Sequence, residues 1–345
     1  MSSVVIIGPG DKFLSGLSYY TWRLSSTLSA TPILFRDMLP AFLFPGKDRV
    51  GRVESKIQYD GEPVMLDWWN PITWMRAVKE CRRHDIVVLE WWTCSVAHMY
   101  AFISLFCGRK IVVEVHETID PLESRIWPLR VYARVMKKIV WGRADVLVAH
   151  SKHDAVEILD YCKPVTIIPH GVYDHYYDVG CRTTNFEVLF FGLVRDYKGV
   201  KYLIEGFKEA NIPHSTLLIQ GEQWDKIADD DPRIYILDHY AAEWEILLFF
   251  SCADVVVLPY LRASSSGVAH IAMHYGLPII ATRVGGLAEL DDYEGMLYVP
   301  PGDSSAIAER LKFVHENWRG KRFPVPKRLE WSSIKEDWDS LFSAL

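Results

Sequence analysis

Short, continuous apolar runs alternate along this chain with longer stretches whose apolar positions recur every three or four residues. The runs Val4–Ile7, Ile86–Leu89, Ile111–Val115, Val146–Val148 and Val165–Ile168 lack the polar alternation of a strand with one wet face. They therefore predict parallel strands covered on both sides. Helices are predicted between them, near 16–29, 71–83, 95–106, 128–141 and 151–160. The alternation then restarts, with strands at Val188–Phe191, Thr216–Ile219, Ile234–Leu237, Val255–Leu258 and Pro278–Ala281. The matching helices fall near 199–210, 241–250, 266–275 and 303–317. Two successive series of this kind predict an α/β protein of two doubly wound, Rossmann-like domains facing each other. The first spans 1–172 and the second 186–328. Residues 173–185, polar and without an apolar period, read as the linker. The final stretch, 329–345, carries Trp331, Ile334, Trp338, Leu341 and Phe342 at helical spacing and reads as an amphipathic helix.

Length agrees with this division, since 345 residues fill two domains at about 100–200 residues each. A net charge of −6 argues against a general nucleic-acid binder. The charge is unevenly placed: residues 1–170 hold 21 Lys and Arg against 18 Asp and Glu, while the rest of the chain is acidic. The first half is thus the better candidate for meeting an anionic surface. Cys81, Cys94, Cys107, Cys162, Cys181 and Cys252 form no C-x-x-C pair and read as free thiols of a reducing cytosol. The N-terminus lacks a basic segment ahead of its short apolar run, and no stretch is long enough to span a membrane. A cytoplasmic protein, able to lie on the inner face of the cell membrane, is expected.

Two turns look built for phosphate. Gly192 to Gly199 links a strand to a helix, and it carries Arg195 and Lys198. Such a turn offers free backbone N–H groups and the positive end of a helix dipole, to which the two side chains add full charges. Ser264, Ser265, Ser266 and Gly267 open a second helix, followed by Val268; one serine suffices for a cap, so three with a glycine suggest an anion cradle. Two cradles at one sheet edge suit a diphosphate. In the first half, Gly8-Pro9-Gly10 and Gly16 do not spell G-x-G-x-x-G, which disfavours a nicotinamide cofactor. Asp229-Asp230-Asp231 reads as a solvated acidic loop rather than a metal site. The pairs His150/His153 and His270/His274 have helical spacings that suit a metal but suggest no third ligand.

These segments resemble the retaining glycosyltransferases of family 4, which have the GT-B fold. Ile168-Pro169-His170-Gly171-Val172 looks like the family's I-P-N-G-V. Gly192 to Gly199 looks like its G-x-x-x-x-x-K-G, and Ala253-Asp254 to Pro259 like its A-D-x-x-x-x-P. Ala272 to Pro278 with Ala281, Thr282, Gly285 and Gly286 looks like A-M-A-x-G-x-P-V-V-A-T…G-G, and His116-Glu117 like its H-D/E. The usual E-x7-E glutamates fall on Ala263 and Ile271, so the resemblance is to relatives with an S-x-S-G segment in that place.

The resemblance implies transfer of a hexose, mannose or glucose, from a UDP- or GDP-linked sugar to a glycan or polyprenyl-linked acceptor, with retention at the anomeric carbon. It implies no cofactor beyond the donor and no required metal. His116, Arg195 and Lys198 would be catalytic. Gly16, Arg195, Lys198, Ser265, Ser266, Gly267, Val268 and Glu289 would bind donor, while Trp91, Trp92 and His170 would meet acceptor. The last helix would return to the first domain. Two alternatives stay open: an inactive nucleotide-binding partner of another transferase, and a sugar-nucleotide epimerase.

The residues of 128–141 suggest a membrane contact. Leu129, Ala133, Met136 and Val140 share one helical face, beside a stripe of Arg130, Arg134, Lys137, Lys138 and Trp141. A basic, aromatic-edged stripe next to an apolar face suits an anionic bilayer. Phe42, Leu43 and Phe44 suggest a hydrophobic tip. Trp68 and Trp69, like Trp91 and Trp92, are flat rings suited to stacking on a sugar.

Overall fold

A computed structural model of the chain describes residues 2–10, 16–37, 57, 59, 62–118, 127–263 and 266–345. The Phe42–Phe44 stretch, Ser264 and Ser265 lie outside them. The chain divides into two compact units, residues 1–170 with 331–345 and residues 171–330.

The first unit is a seven-stranded, all-parallel sheet. Its strands are β1 (Val4–Pro9), β2 (Thr31–Asp37), β3 (Val64–Asp67), β4 (Ile86–Trp91), β5 (Lys110–Val115), β6 (Val146–Ala149) and β7 (Val165–Ile167). Their order is β3-β2-β1-β4-β5-β6-β7, which reverses direction between β1 and β4. The crossing helices are α1 (Gly16–Leu28), α2 (Pro71–Cys81), α3 (Ala97–Phe106), α4 (Trp127–Arg143) and α5 (Lys152–Ile158). Local chemistry sets their starts. Asn70 caps α2 by accepting from the Ile72 N–H, ahead of Pro71 at the first helical position. Ser151 caps α5 through the Asp154 N–H.

Alternate residues of β1 feed opposite faces of the sheet, Val5 and Ile7 one core, Val4 and Ile6 the other. The second of these cores takes Tyr20 and Leu24 from α1. It also takes Trp331, Ile334 and Trp338 from the C-terminal helix, labelled α10 below (Trp331–Ala344).

The second unit is a six-stranded parallel sheet. Its strands are β8 (Phe186–Phe191), β9 (Ser215–Gln220), β10 (Ile234–Leu237), β11 (Val255–Leu258), β12 (Ile279–Thr282) and β13 (Met296–Val299). Their order is β10-β9-β8-β11-β12-β13. The helices are α6 (Val200–Ala210), α7 (Glu243–Cys252), α8 (Gly267–His274) and α9 (Ser304–Asn317), with α10 closing the chain in the first unit. Strand order reverses between β8 and β11, and ligands of such sheets bind at the carboxyl ends beside that reversal.

Strands β2, β3 and β13 have no counterpart in the apolar runs. Two of them, β3 and β13, lie at sheet edges, and their residues are largely half-buried. Half-covered strands need no continuous apolar run.

The stretch read as a polar linker, 173–185, packs on the second unit. His274 Nε2 donates to the Tyr176 carbonyl at 2.6 Å, the Val179 N–H donates to Ser251 Oγ at 3.0 Å, and Tyr173 is buried. Here too lies a correction to the thiol reading. Cys181 and Cys252 form a disulfide across 71 residues, with Cα atoms 4.9 Å apart. Cys81, Cys94, Cys107 and Cys162 are free, the last exposed. The pairing was invisible in the sequence because it depends on the 173–185 stretch folding back onto the end of α7.

Candidate active site

In the second unit, the turn after β8 is shaped by glycine. Gly192 has φ +114° and Gly199 φ +66°, the left-handed region that side chains resist. A Cβ on Gly199 would overlap the Pro259 carbonyl oxygen, so this turn lies directly against the segment after β11. The Leu261 N–H donates to the Tyr197 carbonyl at 2.7 Å and locks the two together. Arg195 lies over the Trp224 ring at 4.5 Å and Lys198 over the Tyr260 ring at 3.6 Å. Neither has a carboxylate partner among the described residues, in contrast to Lys208 with Asp229 and Arg233 with Asp231 nearby. Cations held on ring faces and left without counter-charge are available to an anion.

The start of α8 adjoins this turn, with Val268 near enough to touch a side chain at Gly192. Ser266 precedes the helix without spending its hydroxyl on a cap, and Ser266 Oγ instead stands 3.4 Å from Tyr260 Oη. Gly267 sits over Tyr173, whose hydroxyl a Cβ there would approach at 3.1 Å. Glu289 ends a short turn after β12, and its carbonyl accepts from Arg328 at 3.0 Å.

In the first unit, register does what spacing could not. Glu90 at the end of β4 pairs with Glu114 at the end of β5, which places both carboxyls on one face. Both are fully buried. Tyr20 donates to Glu114 Oε1 at 2.5 Å. Thr21 Oγ1 lies 2.6 Å from Glu90 Oε2 and 3.0 Å from the Leu17 carbonyl oxygen. A hydroxyl has one hydrogen. If Thr21 donates it to Leu17, Glu90 must supply the other, as a neutral acid. Burial, reinforced at Glu90 by the charge of Glu114, pushes both carboxyls well above the usual carboxylate range. A Cβ on Gly8 would overlap the Glu90 carboxyl, which explains glycine at the end of β1.

A row of histidines continues from this pair. His150 Nδ1 is 2.9 Å from the Ile168 carbonyl oxygen and so carries and donates the hydrogen. The lone pair left on His150 Nε2 accepts from His116 Nδ1–H at 3.0 Å. His116 Nε2 is then a lone pair, 3.8 Å from Glu114 Oε2. Burial keeps both rings neutral, with His116 well below its ordinary range and His150 pushed down to about 4. His170 closes the cluster, its ring 4.3 Å from that of Tyr20. Glu114, His116 and His150 stand close enough to hold an ion, so the set His150 joins comes from neighbouring strands rather than from His153. In the structure, their nitrogens between the rings are engaged with each other.

Two family models match in tandem: Glycosyltransferase Family 4 over residues 15–175 and Glycosyl transferases group 1 over 185–317. The chain is a glycosyltransferase of the GT-B fold. It is 27% identical over 281 residues to the GDP-mannose:glycolipid 4-beta-D-mannosyltransferase of Xanthomonas campestris pv. campestris, covering 73% of this chain and 77% of that one. Among solved structures, it resembles a sucrose-phosphate synthase from Thermosynechococcus elongatus with TM-score 0.69 and 16% identity, over 100% of this chain and 99% of that one. It also resembles Anabaena HepE, solved with UDP and glucose, with TM-score 0.66 and 15% identity over the whole of both chains.

The transferase brings Arg195, Lys198, Ser266, Gly267 and Val268 to one sheet edge, and gathers His116 and His170 at another. Gly16 opens α1 at the same edge of the first sheet as Gly8. Trp91 departs from its expected place. It is 1% exposed and packs edge-on against Trp141 in the core, because its position on β4 faces α3 and α4. Trp92 is half-buried against Phe35, and Trp69 is exposed. The basic stripe on α4 is also redrawn. Lys137 and Trp141 are buried, with Lys137 donating to the Thr118 carbonyl and lying over the Trp141 ring at 5.6 Å. The transferase's Arg262, absent from the sequence reading, approaches the same Tyr197 ring as Arg195 and Lys198. Only the fold of 259–262 against the first turn reveals it.

Proposed function

We propose that the transferase moves a hexosyl residue from a nucleotide sugar to a glycan or polyprenyl-linked acceptor. The observation that carries this is the pair of uncompensated cations, Arg195 and Lys198, at the glycine turn beside the start of α8. They would hold the donor diphosphate, with Ser265, Ser266, Gly267 and Val268 adding hydroxyl and backbone contacts, and Gly16 allowing close approach. Glu289 would bind the donor sugar. His116 would stand at the sugar, and His170 and Trp92 would meet the acceptor. GDP-mannose is the first donor to test, given the Xanthomonas relative; UDP-glucose is the second. No metal enters this scheme, since cations and helix dipole stabilise the leaving group.

Retention follows from the family resemblance. In that reading, the C1–O bond breaks with its electron pair on the phosphate oxygen. The acceptor oxygen attacks from the same face and its proton passes to that phosphate oxygen. A second reading is favoured by the β-mannoside named for the relative. A β product from an α-linked donor requires attack from the opposite face and a base, for which the neutral His116 is the candidate.

A melting-temperature panel of UDP, GDP, ADP and their sugars would identify the base, and proton NMR of the glycoside formed would give its anomer. Stabilisation by a nucleoside diphosphate or its sugar is expected. An α-mannoside from GDP-α-mannose establishes retention, and a β-mannoside inversion. No response to any nucleotide overturns the donor assignment.

A further inference from the structure

We propose that Arg262 is a third cation for the donor's diphosphate, one whose charge is used as the sugar–phosphate bond breaks. The inference rests on the donor reading above and adds to it a residue and a stage of the reaction.

Three cations address a single aromatic ring. To the centre of Tyr197, the distances are 5.8 Å from Arg195, 5.4 Å from Lys198 and 5.5 Å from Arg262. They come from two different loops, one after β8 and one after β11, joined by the Leu261 N–H to the Tyr197 carbonyl. The placement of Arg262 is thus set by the residue before it. Arg195 and Lys198 also rest on rings of their own, Trp224 and Tyr260. Arg262 is exposed and, like the other two, has no carboxylate partner among the described residues. One aromatic ring offsets little of the repulsion among three positive charges gathered around it. An anion of matching charge removes it.

The charge of the donor changes during reaction. A sugar nucleotide is a diphosphate diester with two negative charges. When the C1–O bond breaks, the electron pair leaves with the phosphate oxygen, and the nucleoside diphosphate carries a third charge until a proton reaches it. Arg195 and Lys198 match the first two; Arg262 matches the third. A group paired with charge that appears only as the bond breaks acts on turnover rather than on ground-state binding. Arg262 also precedes Ala263, the place where the resemblance would put the first glutamate, so this segment offers an anion-binding group where relatives offer an acid.

The test compares the wild type with Arg262→Ala and Arg262→Lys. Calorimetry would measure affinity for the diphosphate and for the sugar nucleotide of whichever base the panel selects, GDP with GDP-mannose or UDP with UDP-glucose. Steady-state kinetics would separate kcat from KM. Arg262→Ala is expected to lower kcat about 10- to 100-fold with KM changed less than about 3-fold. It should weaken the diphosphate by about 10-fold while nearly sparing the sugar nucleotide, and Arg262→Lys should recover part of both losses. Equal weakening of both ligands, or unchanged kcat, overturns the assignment while leaving the donor reading intact. A wild type that binds neither ligand overturns both.

Discussion

Glu90 and Glu114 are two buried carboxyls with no Lys or Arg partner among the described residues, and their protons have consequences for stability. An unfolded chain releases such protons near pH 4.5, whereas the folded pair retains them to higher pH because burial disfavours charge. Folding therefore takes up protons above pH 4.5, and stability should fall as pH rises. The buried neutral histidines act oppositely. Unfolded, they bind protons below about pH 6.5, and the folded rings do not, so their contribution makes stability rise with pH up to that point. The two effects oppose each other between about pH 4.5 and 6.5, and only the carboxyl effect remains above. Hydrogen exchange of β4 and β5 should thus show stability falling above about pH 6.5, by up to about 1.4 kcal/mol per pH unit for each retained proton. Glu114→Gln should flatten that slope. A stability that rises through pH 8 in the wild type would refute the neutral pair. His116 itself was legible in the sequence, as a histidine at a strand end. Its partners were not, because the pairing of Glu90 with Glu114 is a matter of register between strands.

Among elements, α4 carries the widest gap between helical wheel and structure. Apolar period and Pro128 predicted the helix well. The apolar face of the wheel does turn inward, with Ala133 and Val140 fully buried, but the basic stripe erred, for Lys137 and Trp141 turn inward too, while Val131 and Val135 are exposed. What remains outside is Trp127, 74% exposed, Val131 and Val135, interleaved with Arg130, Arg134 and Lys138, on a helix with no acidic residue. Among the described residues, no helix is long and apolar enough to cross a membrane. Such an exposed basic and apolar face is what the membrane contact expected from the sequence would use, as a helix lying in the interface. Vesicles containing phosphatidylserine should be bound at low salt and released as salt is raised, each cation contributing about 1 kcal/mol. Replacing Arg130, Arg134 and Lys138 together by glutamate should abolish flotation. Equal recovery with neutral vesicles would show that charge is not the cause, and absence of binding by the wild type would overturn the membrane contact expected of 128–141.

At the scale of the molecule, the two-part division could be read from the restart of the strand–helix alternation, and the closing helix from its tryptophans. What the alternation could not show is how much of the first unit's interior that helix supplies, since Trp338 shares a core with Val4 and Ile6 of β1 across more than three hundred intervening residues. The chain leaves the first unit after His170 and re-enters it at Trp331. Trp331, Ile334 and Trp338 then share a core with Val4, Ile6, Val88, Val112 and Val148. The first sheet is therefore incomplete until the last residues arrive, and the second is not. Trp338 is fully buried, and replacing it by alanine should cost about 3–5 kcal/mol, as large aromatic truncations do. The loss should be local. Hydrogen exchange in Trp338→Ala is expected to rise in β1, β4, β5 and β6 and to stay at wild-type values in β8, β9, β11 and β12, which belong to the other unit. Nucleotide-induced protection around Gly192–Gly199, where it exists in the wild type, should persist while transfer is lost. Exchange that rises equally in both sheets would mean that the two units unfold as one, and that α10 stabilises more than the sheet it covers.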